Sequence, residues 1–443
     1  MVSRIITDLA VFDVKPDGSG LELIELADGV TLDESLQQKD GTYVRSYPNG
    51  NLAAHVVGYV SQQYGTTAIE SVMNDTLTGS KDYSSWNNAI ASLAGQTQPG
   101  NTAKLTIDSR IQTAAEQALK GFKGAVVVMD PRTGAVLACA SSPTYDNTNI
   151  DALLQTGGGE DGSMYNRAMD ALYTPGSTFK VVTLSAALET GTASLTSTYQ
   201  APGSMDIGNA PVTNSANESY GTISLQQAFA VSSNVVFGQV ANEVGANSLV
   251  QFANAFGYGQ KLGQDLTTAA SIMADPSLMT EWETAWAGAG QPVGMDHTPG
   301  PQTTVMQNAV IAAAIANSGV VMDPYFVAQV LAPDGTVVKT TQSRSLGQAV
   351  SSATADQVKQ AMLAVVQSGT GTDAQIPGVK VAGKTGSAET GGTNVNSMFV
   401  GFAPYDSPTV AISVALEDYD KHDVEAAKIA GIVLTAALAA QGA

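Results

Sequence analysis

The stretch Thr174-Pro175-Gly176-Ser177-Thr178-Phe179-Lys180 decides how the rest of the chain is read. Pro175-Gly176 is a turn signal. The residues that follow, Val181, Val182, Leu184, Ala186, Ala187 and Leu188, are apolar nearly all round a helical wheel, and Gly191 supplies a stop. A helix this apolar is expected to be buried. Ser177 then stands at the N-terminus of a core helix, where unpaired backbone N–H groups and the helix dipole favour negative charge. Lys180 lies one turn on, on the same face. An amine that is desolvated or set beside another cation loses its proton near neutral pH and can act as a base. This is the layout of a serine nucleophile activated without histidine. Taken alone, it is also the layout of an N-capping serine followed by a surface lysine.

The 443 residues suffice for two or three domains, and 44% hydrophobic with 14% charged residues is a globular composition. A net charge of −20 repels nucleic acid and anionic lipid, so neither is an expected partner. The one cysteine, Cys139, sits in an apolar run and reads as a buried structural thiol. No run reaches the roughly 18–20 apolar residues of a membrane span, and the start of the chain does not read as an export signal.

Residues 1–100 are polar and turn-rich, with short apolar pieces at 21–26 and 52–60, and read as a small N-terminal domain ending in a linker over 80–100. From 101 to 443 an α/β pattern takes over. A helix is expected over 109–121, then two strands at 125–129 and 135–139 around the turn Asp130-Pro-Arg-Thr-Gly134. The Ser177 helix and a mainly helical region over 190–320 come next, with clear helices at 224–241 and 305–316. Strands are expected at 379–384, 397–402 and 410–416, and a terminal helix at 424–440. Short connections between the last strands imply antiparallel pairing. The sum is an α/β (α+β) domain with a five-stranded antiparallel sheet. Its two terminal helices cover one face of the sheet, and the apolar Ser177 helix packs on the other.

Gly378-Val-Lys-Val-Ala-Gly383-Lys384-Thr385 fits the phosphate-loop pattern, which would make the chain a nucleotide hydrolase. A phosphate loop follows a buried strand and opens a helix, whereas this stretch follows a polar, glycine-rich segment and leads to another strand. Gly157 to Gly162 matches a dinucleotide pattern with no strand before it. Only His55, His297 and His422 could complete a serine triad, no GxSxG occurs, and no Cys/His spacing supports a metal. Two stretches can complete the Ser177 site. In Val231-Ser232-Ser233-Asn234 the polar residues are embedded in an apolar run and need partners. In Lys384-Thr385-Gly386-Ser387 the lysine can be a solvated edge charge or a fixed cation beside Lys180.

Ser-x-x-Lys, Ser-x-Asn and Lys-Thr-Gly in this order resemble the active-site set of the penicillin-binding proteins and serine β-lactamases. Pro175 to Lys180, Ser232 to Asn234, Lys384 to Glu389 and Gly124 to Ala138 resemble a transpeptidase domain. Arg45-Ser-Tyr-Pro-Asn-Gly50, Ala53 to Tyr59 and Gly65 to Glu70 resemble the N-terminal pedestal of class B, monofunctional enzymes. The resemblance implies a transpeptidase fold with an all-helical subdomain, and a peptidoglycan D,D-transpeptidase blocked covalently by β-lactams. Ser177 would attack the carbonyl between the last two D-alanines of a stem peptide, and neutral Lys180 would take its proton. Ser232 would pass a proton to the leaving D-alanine, Asn234 would orient substrate and Lys180, and Lys384, Thr385 and Gly386 would hold the terminal carboxylate. The N–H groups of Ser177 and Ser387 would form the oxyanion hole, with no cofactor and no metal.

A D,D-carboxypeptidase, a β-lactam sensor or a β-lactamase would share these residues. The β-lactamase also needs a hydrolytic base, for which Glu243, Glu281 and Glu283 are the acids available between the motifs. Expected partners are donor and acceptor stem peptides, β-lactams, and glycosyltransferase, division or elongation proteins bound through residues 1–100. The expected location is the outer face of the bacterial cell membrane, held by an N-terminal transmembrane helix that this chain does not include.

Overall fold

The computed structural model describes residues 21–37, 43–61, 63–77, 100–159, 161–389, 394–419 and 425–442. Apart from Gly100, the expected linker over 80–100 lies outside them, as does His422. The central sheet has five strands in the order Ala382–Glu389, Val395–Ala403, Val410–Tyr419, Gly124–Met129, Val136–Ser142, every neighbouring pair antiparallel. Ala382–Glu389 is therefore an edge strand, with one side open to the helical region.

Alternation along the strands sets the layers. Val126 and Val128 share a buried cluster with Ile111, Ala115, Ala430 and Leu434, on the face covered by helices Ser109–Ala118 and Glu425–Ala440. Val127 and Met129 point the other way, into the main core. There the helix that lies across the strands is Val305–Ala316, all twelve of whose residues are buried. This corrects the expectation that the Ser177 helix covers that face. Its first turn, Gly176–Phe179, meets the sheet at the edge strand, and the body of the helix, Lys180–Glu189, packs among other helices.

Three further expectations need correction. The lysine-bearing strand starts at Ala382, not Val379, because residues 376–379 form a turn closed by the Ile376–Val379 bridge. The helix expected over 224–241 is two helices, Leu225–Ala230 and Asn234–Val244. The helical subdomain is not all-helical, since two short antiparallel ribbons, Ser204–Ile207 with Ala210–Thr213 and Thr198–Ala201 with Gly221–Ser224, lie beside the second of these helices.

The N-terminal strands Leu21–Glu25, Thr31–Gln37 and Tyr43–Ser46 join a six-stranded sheet that also takes Thr102–Leu105, Val327–Leu331 and Val337–Thr340 from beyond residue 100. Arg45 anchors it. The Arg45 guanidinium forms a short two-pronged ion pair with Glu70 and lies 3.5 Å from Asp33, whose side chain is fully buried. Burial pushes the Asp33 carboxyl well above its usual range. Removing one partner of a buried ion pair leaves an uncompensated charge. Arg45→Ala is expected to cost about 3 kcal/mol, read as lost hydrogen-exchange protection over residues 31–37 and 43–46.

Candidate active site

The turn Gly176–Phe179 runs into the helix Lys180–Glu189 without a break. Gly176 has φ +53°, and a Cβ there would fall 2.6 Å from the Ser387 carbonyl oxygen, so only glycine lets this turn press on the edge strand. Gly386 answers it from the strand, where a Cβ would lie 2.9 Å from the Pro175 carbonyl oxygen. Ser177 is half-buried on this seam, while Lys180 is fully buried beneath it.

The break between the two helices puts Ser232 in place. Ser233 caps the second helix, its Oγ accepting from Val236 N–H at 3.2 Å. Ser232, one residue earlier, has φ +62°, a conformation rare for a residue with a Cβ. The loop brings three oxygens to Lys180 Nζ: Ser232 O at 2.8 Å, Ser232 Oγ at 3.2 Å and Asn234 Oδ1 at 2.7 Å. Ser177 Oγ is the fourth neighbour, at 3.0 Å. Asn234 Nδ2 donates to Thr213 O at 2.9 Å, which fixes the amide so that its oxygen faces the amine.

Lys384 comes from the edge strand and is also fully buried. Its Nζ donates to Ser232 Oγ at 2.9 Å and to Thr385 O at 3.0 Å. One serine hydroxyl is thus suspended between two lysines. Phe237 lies 5.6 Å from Lys180 Nζ and Phe229 5.6 Å from Lys384 Nζ, so both amines stand against aromatic walls away from water. Burial, and then the charge of Lys384, holds the Lys180 amine well below its ordinary pKa. Burial lowers Lys384 to about 7.

A neutral amine has two protons and one lone pair. Ser232 O and Asn234 Oδ1 can only accept, and they are the two nearest neighbours of Lys180 Nζ. They take its two protons. The lone pair is left for a hydroxyl proton, and Ser177 Oγ is the nearer hydroxyl. The arrangement can hold a deprotonated amine as a base against Ser177 O–H.

Among the described residues, all the sequence candidates except His55, His297 and the three glutamates gather here. His55 is buried with Nε2 2.8 Å from Ser163 O, and burial lowers it to about 4, which marks a structural role. His297 sits in the loop after helix Glu281–Ala289, its N–H on Gly294 O. Glu283 completes the capping box of that same helix, accepting from the N–H of the N-cap Thr280, and Glu243 accepts from Tyr199 O–H at 2.8 Å. Among the described residues none of the three glutamate side chains hydrogen-bonds to Ser177, Lys180 or Ser232. The phosphate-loop pattern fails on geometry: strand runs through Lys384 to Glu389, where a helix would have to begin. Burial pushes the Cys139 thiol up to about 12, consistent with a structural thiol.

Two residues escaped the sequence reading. Asn214 is buried beneath the Ser232 loop. Its Oδ1 accepts from Ser233 Oγ at 3.0 Å and Val235 N–H at 3.1 Å, and its Nδ2 donates to Pro202 O and Glu218 O. Thr370 Oγ1 lies 2.5 Å from Thr385 Oγ1. Both stand in polar loops, and neither has a local pattern that separates it from a solvated turn residue.

Comparison with known proteins identifies the family. Residues 124–438 match the penicillin binding protein transpeptidase domain, and residues 24–103 match the penicillin binding protein A dimerisation domain. The chain is 33% identical over 404 residues to the peptidoglycan D,D-transpeptidase PbpA of Mycobacterium tuberculosis, covering 85% of this chain and 79% of that protein. A crystal structure of the D,D-transpeptidase domain of a peptidoglycan glycosyltransferase from Eggerthella lenta is similar with TM-score 0.88 and 43% identity, over 96% of this chain and 99% of that one. The imipenem acyl-enzyme complex of penicillin-binding protein A from M. tuberculosis gives TM-score 0.86 and 31% identity, over 95% and 98%.

Asn214→Ala removes the acceptor of the buried Ser233 hydroxyl and of Val235 N–H. The loss of these bonds is expected to cost about 2 kcal/mol, measured by denaturant unfolding, with exchange protection falling first in residues 231–236.

Proposed function

Because the chain belongs to the penicillin-binding protein transpeptidase family, we propose that it is a peptidoglycan D,D-transpeptidase working through an acyl-enzyme on Ser177. The observation that carries this is the Lys180 amine, fully buried, with its two closest neighbours acceptor-only and Ser177 Oγ 3.0 Å away.

Ser177 Oγ attacks the carbonyl between the last two D-alanines of a stem peptide, and its proton passes to Lys180 Nζ. The N–H groups of Ser177 and Ser387 take the charge that develops on the carbonyl oxygen. The C–N bond breaks, and the leaving amine collects a proton through Ser232 Oγ, which lies 3.2 Å from Lys180 Nζ and 2.9 Å from Lys384 Nζ. Free D-alanine departs. An amine from a second stem then attacks the ester, Lys180 takes the surplus proton, and Ser177 leaves with a proton restored. Asn234 holds Lys180 and the substrate amide, and Lys384, Thr385 and Gly386 hold the terminal carboxylate. A β-lactam enters the same first step and leaves its ring-opened acyl group on Ser177.

The peptidoglycan substrate places the reaction on the outer side of the cell membrane. Among the described residues no helix is long and apolar enough to cross a membrane. Residues 1–100 are proposed as the interaction domain for glycan-polymerising, division or elongation proteins, and 101–443 as the transpeptidase domain. The exposed cross-strand pair Leu36 and Val44 supports the first assignment by offering an apolar contact.

Labelling with a fluorescent penicillin tests the nucleophile. Wild type is expected to label and Ser177→Ala is not; equal labelling of Ser177→Ala would sink the proposal. The two lysines set the pH dependence of acylation. Lys180 must be neutral, so the rate rises with pH through its depressed pKa. Lys384 must be charged to hold a carboxylate, so the rate falls as pH passes about 7. The second-order acylation rate is expected to be bell-shaped. In Lys384→Ala the alkaline limb disappears, and the acid limb moves to higher pH, because the charge that lowers Lys180 is gone. Rates at a series of pH values for the two proteins check this.

A further inference from the structure

Thr370 stands in Ser368-Gly369-Thr370-Gly371, between the helix Ser352–Ser368 and the short turn Thr372–Ala374. Three contacts fix it. Its backbone N–H donates to Ala230 O at 3.2 Å, and Ala230 is the last residue of the helix that leads to Ser232. Gly369 packs on the same carbonyl, where a Cβ would fall 2.4 Å from Ala230 O, so no other residue allows this approach. The Thr370 hydroxyl reaches across to Thr385 Oγ1 at 2.5 Å. One residue thus ties the Ser232 wall of the cleft to the Lys384 wall.

We infer that Thr370 is a positioning residue of the carboxylate subsite: its hydroxyl donates to Thr385 Oγ1 and so turns the Thr385 proton toward the substrate's terminal carboxylate. The inference rests on the transpeptidase reading of this site. Two hydroxyls in contact share one of their two protons and leave the other over. Among the described residues neither hydroxyl has another hydrogen-bond partner. A carboxylate drawn to Lys384 is the strongest acceptor that can reach the pair. It takes the proton of Thr385, and that oxygen then accepts from Thr370. Each bond in such a chain polarises the next, so the hydroxyl contacting the substrate becomes a better donor than an isolated threonine. The backbone bond of Thr370 to Ala230 keeps the chain in register with Ser232, which belongs to the acylation step.

The side chain can be tested without disturbing that backbone bond. Thr370→Val keeps the branched shape and loses the hydroxyl; Thr370→Ser keeps the hydroxyl. The probes are a benzoyl-D-alanyl thioglycolate thioester, which has a terminal carboxylate, and the corresponding thioglycolamide, which is neutral there. For Thr370→Val, kcat/KM for the carboxylate thioester is expected to fall about tenfold, while kcat/KM for the amide changes less than about twofold. Thr370→Ser is expected to recover most of the loss. Equal falls on both thioesters would mean a structural role alone and would overturn the inference, as would no fall on either. Ser177→Ala should abolish turnover of both. If it does not, the transpeptidase reading fails, whatever Thr370 does.

Discussion

The structure depends on burying two lysine amines around one serine hydroxyl. Lys180 and Lys384 are each fully excluded from solvent, and Ser232 Oγ is within hydrogen-bond distance of both. Two ammonium groups in such a place would each carry a desolvation cost of several kcal/mol and repel one another. The arrangement is tolerable only if one is neutral. Asn234 Oδ1 and Ser232 O occupy the protons of the Lys180 amine, and the aromatic walls of Phe229 and Phe237 keep water from solvating a charge. What costs stability here bears on chemistry: the same burial that disfavours the ammonium form holds the Lys180 amine well below its ordinary pKa.

Much of the surrounding fold serves to hold these groups at fixed distances. The edge strand carries Lys384 and presses on the Ser177 turn through Gly386 and Gly176, where backbone meets backbone without a side chain between. The helix Val305–Ala316 supports the sheet from behind. The third wall is a loop, not a regular element, and it is held from below by Asn214 and from the side by the Gly369-Thr370 contact with Ala230. The positive φ of Ser232 shows what that support accomplishes: a residue in a sparsely populated conformation stays there because its neighbours on both sides are capped and packed.

The sequence was legible wherever a local pattern had a physical cause within a few residues. The five strands, the two covering helices and the apolar Val305–Ala316 helix all follow from alternation or helical spacing bounded by glycine and proline. Ser177, Lys180, Ser232, Asn234 and Lys384 could be picked out because each is a polar residue in an apolar run or belongs to a recognisable triple motif. The misreadings have a common origin. Apolar residues flank Ser232-Ser233-Asn234 on both sides, so 224–241 reads as one helix, and the cap formed by Ser233 splits it. The strand at Lys384 begins three residues later than expected, because a turn closes residues 376–379 first. Asn214 and Thr370 act through long-range contacts, across 19 residues to Ser233 and 15 to Thr385. Polar loop residues of this kind carry no local mark of the partner they will meet.

The central claim is that Lys180 is a neutral amine in the free enzyme because it is buried beside Lys384. An NMR titration of lysine Cε, with 13C-labelled lysine and Lys180→Arg to assign the resonance, measures this directly. Lys180 is expected to titrate well below the ordinary 10.5 and to shift upward in Lys384→Met. A Lys180 resonance that titrates near 10.5, or that ignores the loss of Lys384, would contradict it.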